Sequence, residues 1–398
     1  MKKLRVGILF GGRSGEHEVS LLSAASVFNA IDKNKYEVIP IGITKEGHWV
    51  TAAHAERLLK GKFSHPQEKH LRAGDPEVTP AAAVLARGEA VLVPPEPHPQ
   101  GSSLTALQTE AAAAAAVRPA HAIEVDIVFP VLHGTFGEDG TSQGLLELAD
   151  MAYVGAGVLG SAAGMDKDVM KALFRAAGLP IVKHVTVLRG DWEAEPKKIQ
   201  KLVESKLKYP VFVKPANLGS SVGISKAHDR KELGPAIDEA AKFDRKIVIE
   251  QGVGGGKHKA REIECSVLGN DKPEASVPGE IVPSKEFYDY DAKYLDEGSQ
   301  LIIPAKLTKA EAKKVQQVAI GAFKAVDCSG LARVDFLMEP KSRKIYVNEI
   351  NTMPGFTSIS MYPKLWAATG VSYPALIEKL IQLGLERHEE KKRNQYSR

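Results

Sequence analysis

The chain has 398 residues, of which 43% are hydrophobic and 26% charged, and its net charge is +4. That length exceeds one ordinary core and predicts two or three domains, each burying its own interior. The lysines are scattered and no basic block is interleaved with aromatics, so nucleic acid or a membrane is not expected as the main partner; a small anionic substrate suits the chain better.

Taken in order, Arg5 to Phe10 is an apolar run ended by Gly11 and Gly12, and Glu16 to Ile31 has helical spacing, so the chain opens as strand, glycine turn and helix. The apolar run is too short for a signal peptide or a bilayer span. The turn GGRSGE lacks the G-x-G-x-x-G spacing, which weakens a dinucleotide oxidoreductase reading. Glu18 of HEVS falls in the first helical turn, where a carboxylate favours the helix dipole and needs no other role. Tyr36 to Ile43 and Val125 to Leu132 read as further buried strands. Between them, residues 52–120 include PPEPHPQGSS and six alanines from Ala111, a composition expected of an insertion on the first domain, at an edge or oligomer contact. The loop His133 to Gly140, HGTFGEDG, can bend sharply around a ligand, although a lone histidine is also an ordinary hydrogen-bonded structural residue.

Gly155 to Gly164 is rich in Gly, Ala and Ser and marks a change of domain. Asp166 is placed to cap a helix with an apolar face of Val169, Met170, Leu173, Phe174 and Ala177, ended by Gly178 and Pro180. Lys167 then sits at a helix start, where a cation is disfavoured unless an anion lies close. After a strand at Val182 to Leu188, the strand Tyr209 to Lys214 runs into PANLGSSVG; Gly219, Ser220, Ser221 and Gly223 make either a plain Ser/Gly turn or a phosphate cradle, and not a Walker A loop. Lys246 to Glu250 is another buried strand, and Arg261 to Gly269 alternates Glu262, Glu264 and Ser266 against Ile263, Cys265 and Val267 as a half-exposed one. FYDYDAKY, Phe287 to Tyr294, has the aromatic and charged character of a lid or of an ordinary surface loop. Thr308 and Glu311 form a capping box for a helix through Val315, Val318, Ala322 and Phe323; the last helix is expected at Tyr373 to Leu385, fraying into a charged tail. Cys265 and Cys328 lie in apolar segments and fit two buried thiols in a reducing compartment, so a cytoplasmic location is expected.

The densest chemistry lies in Leu331 to Gly355, two short strands joined by a turn at Glu339 to Arg343. Arg333 and Asp335 are two apart, as are Glu349 and Asn351, so each pair projects from one face of its strand. Val334, Phe336, Ile345, Val347 and Ile350 supply an opposite, core-facing side. Once the hairpin closes, Asp335, Glu349 and Asn351 form a hard-oxygen cradle of the kind Mg²⁺ accepts with phosphate and water.

RVDFLM followed by VNEINTMPGFTS resembles the signature of the ATP-grasp enzymes, specifically the D-alanine:D-alanine ligases of cell-wall synthesis. HEVS, HGTFGEDG, GSSVG, YDYDAKY, RVDF and NEINTMPG arrive in family order, and the likeness covers nearly the whole chain except about residues 52–120. The resemblance implies an α/β ATP-grasp fold: a Rossmann-like parallel-sheet domain at residues 1–155, then two sheet-containing parts, 156–255 and 256–398, that clamp ATP. It implies ATP as co-substrate, two Mg²⁺ or Mn²⁺ ions held by Asp335, Glu349 and Asn351, two D-alanine molecules as substrates, and a homodimer. Lys167, Lys214, Ser220, Ser221 and Lys293 would meet the phosphates, Glu250 and Val253 the adenine edge, and Glu262 the ribose. Glu18 and His133 would meet the first D-alanine, and Arg333 and the Gly355 backbone the developing oxyanion. Ser360 would hold the second carboxylate, while Tyr294 closes the lid with Ser220 and Glu18. A depsipeptide ligase using D-lactate is the alternative within the fold, against which Tyr294 speaks; a sensor without catalysis is the alternative outside it, against which the complete set of Asp335, Glu349 and Asn351 speaks.

Overall fold

The structure, a computed structural model, describes residues 2–51, 84–85, 89–94, 103–109, 117–254, 259–282 and 300–396. Three sheets follow one another along the chain. The first has strands β1 (Leu4–Gly11), β2 (Tyr36–Ile43), β3 (Trp49–Thr51), β4 (Glu89–Leu92), β5 (Ser103–Thr109), β6 (Val117–Glu124) and β7 (Ile127–Pro130), in the order β6-β5-β4-β3-β2-β1-β7. β1 pairs in parallel with β2 and β7, and β3 to β6 extend the sheet antiparallel from β2. The parallel centre fits the continuous apolar sequence of β1, where Val6, Ile8, Leu9 and Phe10 are fully buried. The described part of residues 52–120 therefore continues the first sheet outward; Ala111 to Ala116 lies outside the described residues.

The second sheet is antiparallel, with β8 (His184–Leu188), β9 (Val211–Pro215), β10 (Ser225–Ala227) and β11 (Lys246–Gln251) in the order β10-β9-β11-β8. Its core joins Val213, Ile247 and Ile249 to Ile199 and Val203 of the helix Pro196–Lys206 and Leu233 and Ile237 of the helix Arg230–Ala241. The third sheet comprises β12 (Arg261–Gly269), β13 (Glu274–Ala275), β14 (Gly279–Val282), β15 (Gln300–Ile302), β16 (Gly330–Met338) and β17 (Ile345–Asn351), in the order β15-β14-β12-β16-β17 with β13 on β12. The helix Lys309–Ala325 covers it through Val315, Val318, Ala322 and Phe323, and begins with the expected capping box between Thr308 and Glu311.

Several expectations are corrected by packing. Asp166 does cap the helix Lys167–Ala176, accepting from the amides of Asp168 (3.0 Å) and Val169 (3.1 Å). The face it buries, however, is Lys167, Met170, Lys171 and Phe174, while Val169 is exposed. Met170 and Phe174 join the core of the third sheet, so this segment packs beneath β16 and β17 as well as preceding the second sheet. β12 is buried on both faces: Glu264 and Ser266 are covered, with the Ser266 hydroxyl donating to the Tyr362 carbonyl at 3.3 Å. The last helix runs through Tyr373–Lys391 instead of fraying after Leu385. Its Leu376, Ile377, Leu380 and Ile381 enter the core beneath β1, and Arg387 lies 4.1 Å from the Tyr153 ring centroid while donating to the Gly155 carbonyl at 2.5 Å. The chain's end thus holds its beginning, a long-range contact that local periodicity cannot announce. Cys265 and Cys328 are buried free thiols, both pushed up by burial.

Candidate active site

A cleft of about 430 Å³ opens where the three sheets meet. Its walls come from the first turn (Glu16), the HGTFGEDG loop (His133, Glu138), the start of the helix Lys167–Ala176, the β9–β10 loop (Leu218 to Ser221), the end of β11 (Glu250 to Val253), β12 (Glu262, Glu264), the β16–β17 hairpin and the loop after it to Met361. Lys167, Lys214, Ser220, Ser221, Glu250, Val253, Glu262, His133, Arg333, Asp335, Glu349, Asn351, Gly355 and Ser360 all line it. Lys293 and Tyr294 lie outside the described residues.

One half of the cleft is built on buried charge. Lys214 ends β9 and its ammonium meets Glu250 Oε2 at 2.8 Å and Asn348 Oδ1 at 3.2 Å. Lys171, which sequence reading placed in no role, meets Glu250 Oε1 at 2.9 Å. Burial raises the Glu250 carboxyl, but Lys171 and Lys214 outweigh it and pull the group down to about 2. Burial lowers the Lys214 ammonium; Glu250 and Glu349 reverse that, leaving it above its ordinary value. The Glu250 side chain is therefore committed to two lysines. Lys167 is also buried, and its ammonium donates to the Leu218 carbonyl at 2.5 Å, tying the helix start to the β9–β10 loop. In that loop Ser220 and Ser221 both have positive φ, 49° and 60°, a conformation L-residues take at a cost and one associated with ligand-clamping turns.

Opposite lies the hairpin. Asp335 is directly across from Glu349, and Arg333 from Asn351, so the four polar side chains are cross-strand neighbours. Arg333 forms a fork on Asp335, Nε to Oδ1 and Nη2 to Oδ2 at 2.7 Å each, and its Nε also meets Glu264 Oε2 at 3.0 Å. Asn351 Nδ2 donates to Asp335 Oδ2 at 3.1 Å. Two carboxylates and an amide oxygen on one hairpin face fit a hard divalent cation. Among the described residues no three His, Cys, Asp or Glu side chains converge as a self-sufficient cage, so an ion here would have to share its shell with a ligand's oxygens.

The other half corrects the first turn. The helix begins at His17, leaving Glu16 at the N-cap position and Glu18 inside the first turn. Glu18 turns outward to Lys45, 2.6 Å away, and does not line the cleft. Glu16 lines it instead, accepting a hydrogen bond from the Ser220 hydroxyl. Two glycines make room for it: a Cβ on Gly134 would lie 2.7 Å, and one on Gly219 3.1 Å, from Glu16 Oε2. Two glutamates two positions apart look alike in sequence, and only the helix start separates them.

His133 is buried and both ring nitrogens are engaged. Nδ1–H donates to the Met353 carbonyl at 3.1 Å, which leaves Nε2 to accept from the Ser23 hydroxyl at 2.9 Å. Burial holds the imidazole below its ordinary pKa, so it is a neutral strut between the first domain and the loop after β17. Glu138, also missed by sequence reading, accepts from the Gly134 amide at 2.7 Å; burial and then the neighbouring Glu16 push its carboxyl up to about 8. Along the loop after β17, Ser360 Oγ lies 2.7 Å from Thr357 Oγ1 and against the Cα of Gly355, where a Cβ would come within 3.2 Å.

Comparison with known proteins agrees along the whole chain. The family models described as D-ala D-ala ligase N-terminus and D-ala D-ala ligase C-terminus match residues 5–156 and 173–382. A D-alanine–D-alanine ligase of Bacillus cytotoxicus is 48% identical over 397 residues, covering 100% of both chains, and one of Natranaerobius thermophilus is 48% identical over 396 residues, covering 99% of this chain and 98% of the relative. Among solved structures, the D-alanine-D-alanine ligase from Coxiella burnetii superposes with a TM-score of 0.77 at 36% identity, covering 98% of this chain and 97% of that one. The VanG D-Ala:D-Ser ligase from Enterococcus faecalis gives 0.78 at 35% identity, covering 96% and 100%. On sequence, architecture and coverage together, this chain belongs to the D-alanine–D-alanine ligase family.

Proposed function

We propose that this cleft joins two D-alanine molecules into D-alanyl-D-alanine at the expense of ATP. The chain is an ATP-dependent ligase by family. The observation that carries the residue-level reading is the meeting, in one cleft, of buried lysines, a hard-oxygen hairpin and the Glu16–Ser220 link between separate domains.

A carboxylate oxygen is a poor leaving group. The first D-alanine carboxylate therefore attacks the γ-phosphorus of ATP, ADP departs, and an acyl phosphate forms. Lys167 and Lys214 face the phosphates and offset charge spreading over the transferred group, with Lys293 as a further contributor. The amine of the second D-alanine then attacks the carbonyl, and the tetrahedral adduct expels phosphate after losing a proton. Arg333 and the Gly355 amide stabilise the developing oxyanion, and Ser360 holds the second carboxylate. Asp335, Glu349 and Asn351 would hold Mg²⁺ or Mn²⁺, which supplies Lewis-acid neutralisation of phosphate oxygens. Glu16, and not Glu18, takes the ammonium of the first D-alanine. The Glu138 carboxyl beside it is raised to about 8, first by burial and then by Glu16. Ser221 and Val253, just past the end of β11, frame the nucleotide, and Glu262 receives the ribose; Glu250, committed to Lys171 and Lys214, acts through those lysines.

The working division of the chain is 1–155, 156–255 and 256–398. No helix among the described residues is long and apolar enough to cross a membrane; a cytoplasmic homodimer serving peptidoglycan precursor synthesis completes the reading. The deciding assay is ADP formation with D-alanine alone, with L-alanine alone and with D-alanine together with D-lactate, each with Mg²⁺. ADP and dipeptide in equal amounts from D-alanine alone is the expected result; a mixed D-alanine–D-lactate ester as the main product when both are present would replace the proposal with depsipeptide synthesis.

A further inference from the structure

Lys171 is fully buried, and no step above uses it. Its ammonium touches two elements other than its own helix: Glu250 Oε1 on β11 at 2.9 Å and the Asn348 carbonyl on β17 at 2.9 Å. Lys214 approaches the same two residues from the cleft side, through Glu250 Oε2 at 2.8 Å and Asn348 Oδ1 at 3.2 Å. Two cations thus share one carboxylate and one amide residue.

The charges do not cancel. A single Lys–Glu pair would be neutral, and Lys214 would have its charge consumed by Glu250 at the cleft wall. With Lys171 sealed behind, Glu250 is shared by two ammonium groups, so these three side chains carry one excess positive charge; its open side is Lys214, 10% exposed where Lys171 is 0%, and the other carboxylate acting on it most strongly is Glu349. Holding excess positive charge out of water is unfavourable unless an anion arrives to share it. The second contact adds position, since Asn348 directly precedes Glu349 on β17.

We propose that Lys171 is a positioning residue for phosphate binding: by balancing Glu250 from behind and holding the Asn348 carbonyl, it leaves the Lys214 charge available to the polyphosphate. This rests on the ligase reading but makes a separate demand, namely that loss of Lys171 weakens binding of phosphates and spares binding of the nucleoside.

The test uses the full chain without D-alanine and compares ADP with adenosine by titration calorimetry, alongside thermal unfolding. Lys171→Met should weaken ADP by at least about tenfold and adenosine by no more than about twofold, because only the charged part of the ligand senses the lost balance. The double variant Lys171→Met/Glu250→Gln, in which an uncharged amide no longer captures Lys214, should return ADP affinity to within about threefold of the parent. Equal weakening of ADP and adenosine, or a double variant no better than the single, overturns the proposal and leaves Lys171 a purely structural residue. If Lys171→Met alone fails to fold, the double variant decides: a folded protein with near-parental ADP affinity supports charge balance, and an unfolded one overturns it. A parent chain that binds no ADP would instead bring down the ligase reading itself.

Discussion

At the end of the cleft proposed for the nucleotide, Lys167 and Lys171 stand one turn apart on one helix and Lys214 near the end of β9, and they are locked by Glu250, Asn348 and main-chain carbonyls in a buried ionic cluster. At the end proposed for D-alanine, His133 is held by neutral hydrogen bonds to Ser23 of the helix His17–Ala30 and to the Met353 carbonyl, and the loop from Met353 to Ser360 is tied to the same hydroxyl and within itself. The contrast follows from the ligands proposed for each end. A polyphosphate brings several charges and is met by fixed opposite charge that needs no rearrangement during transfer. A small zwitterion and a water-sensitive acyl phosphate are better served by a shaped surround of neutral hydrogen bonds beside Glu16 and Arg333.

The largest expected effect tests the charged end. Glu349→Gln should keep the fold and lower turnover by at least about 100-fold, because an amide removes the anionic oxygen proposed to hold the metal; steady-state ADP release measures it, and near-parental turnover at saturating Mg²⁺ would break the hairpin assignment. Next, Glu16→Gln should raise the Michaelis constant for the first D-alanine by about 10- to 100-fold while Glu18→Gln changes it by less than about twofold, since only Glu16 lies in the cleft. The reverse ranking would restore Glu18 as the substrate ligand.

A third prediction concerns pH. The Glu138 carboxyl is raised from its ordinary value to about 8 in the folded chain, so the folded state holds a proton there that the unfolded state has lost. Its stabilising contribution is complete below the unfolded pKa near 4.5 and is lost as pH rises toward about 8, with a slope of at most about 1.4 kcal/mol per pH unit. Glu138→Gln should flatten the urea-unfolding stability over that range; an unchanged slope would mean Glu138 is ionised in place. The smallest effect belongs to the neutral struts. Ser23→Ala removes the hydroxyl between His133 and the Phe356 amide and should cost about 0.5–1.5 kcal/mol in urea unfolding, with a higher Michaelis constant for D-alanine than for ATP relative to the parent. A shift in the ATP constant alone would show that the two ends are not built separately.

Local chemistry made part of this site readable in advance. Residues two apart on a strand share a face, so Arg333 with Asp335 and Glu349 with Asn351 were expected together, and the register pairs them. The Asp166 cap and the Thr308–Glu311 box depend on amides two or three positions away and are equally legible. Lys171 was not. Helical periodicity favours Val169 for burial over a lysine, and only the convergence of β11 and β17 above that helix turns the preference round, because Glu250 and the Asn348 carbonyl offer the ammonium partners that water would otherwise supply.

The sequence by itself determined the strands with continuous apolar runs, the capped helices, the polar hairpin and, through its ordered motifs, the family; it did not show the strands β4, β5 and β6 in and beside residues 52–120. Which glutamate of GEHEVS enters the cleft, how far the last helix extends, and which lysine is sealed inside were decided by the tertiary structure. Each of those depends on what a distant part of the chain brings alongside: Ser220 and Gly219 for Glu16, Tyr153 and Gly155 for Arg387, Glu250 and Asn348 for Lys171. Burial of a polar group is settled by its partners, and its partners are settled by the fold.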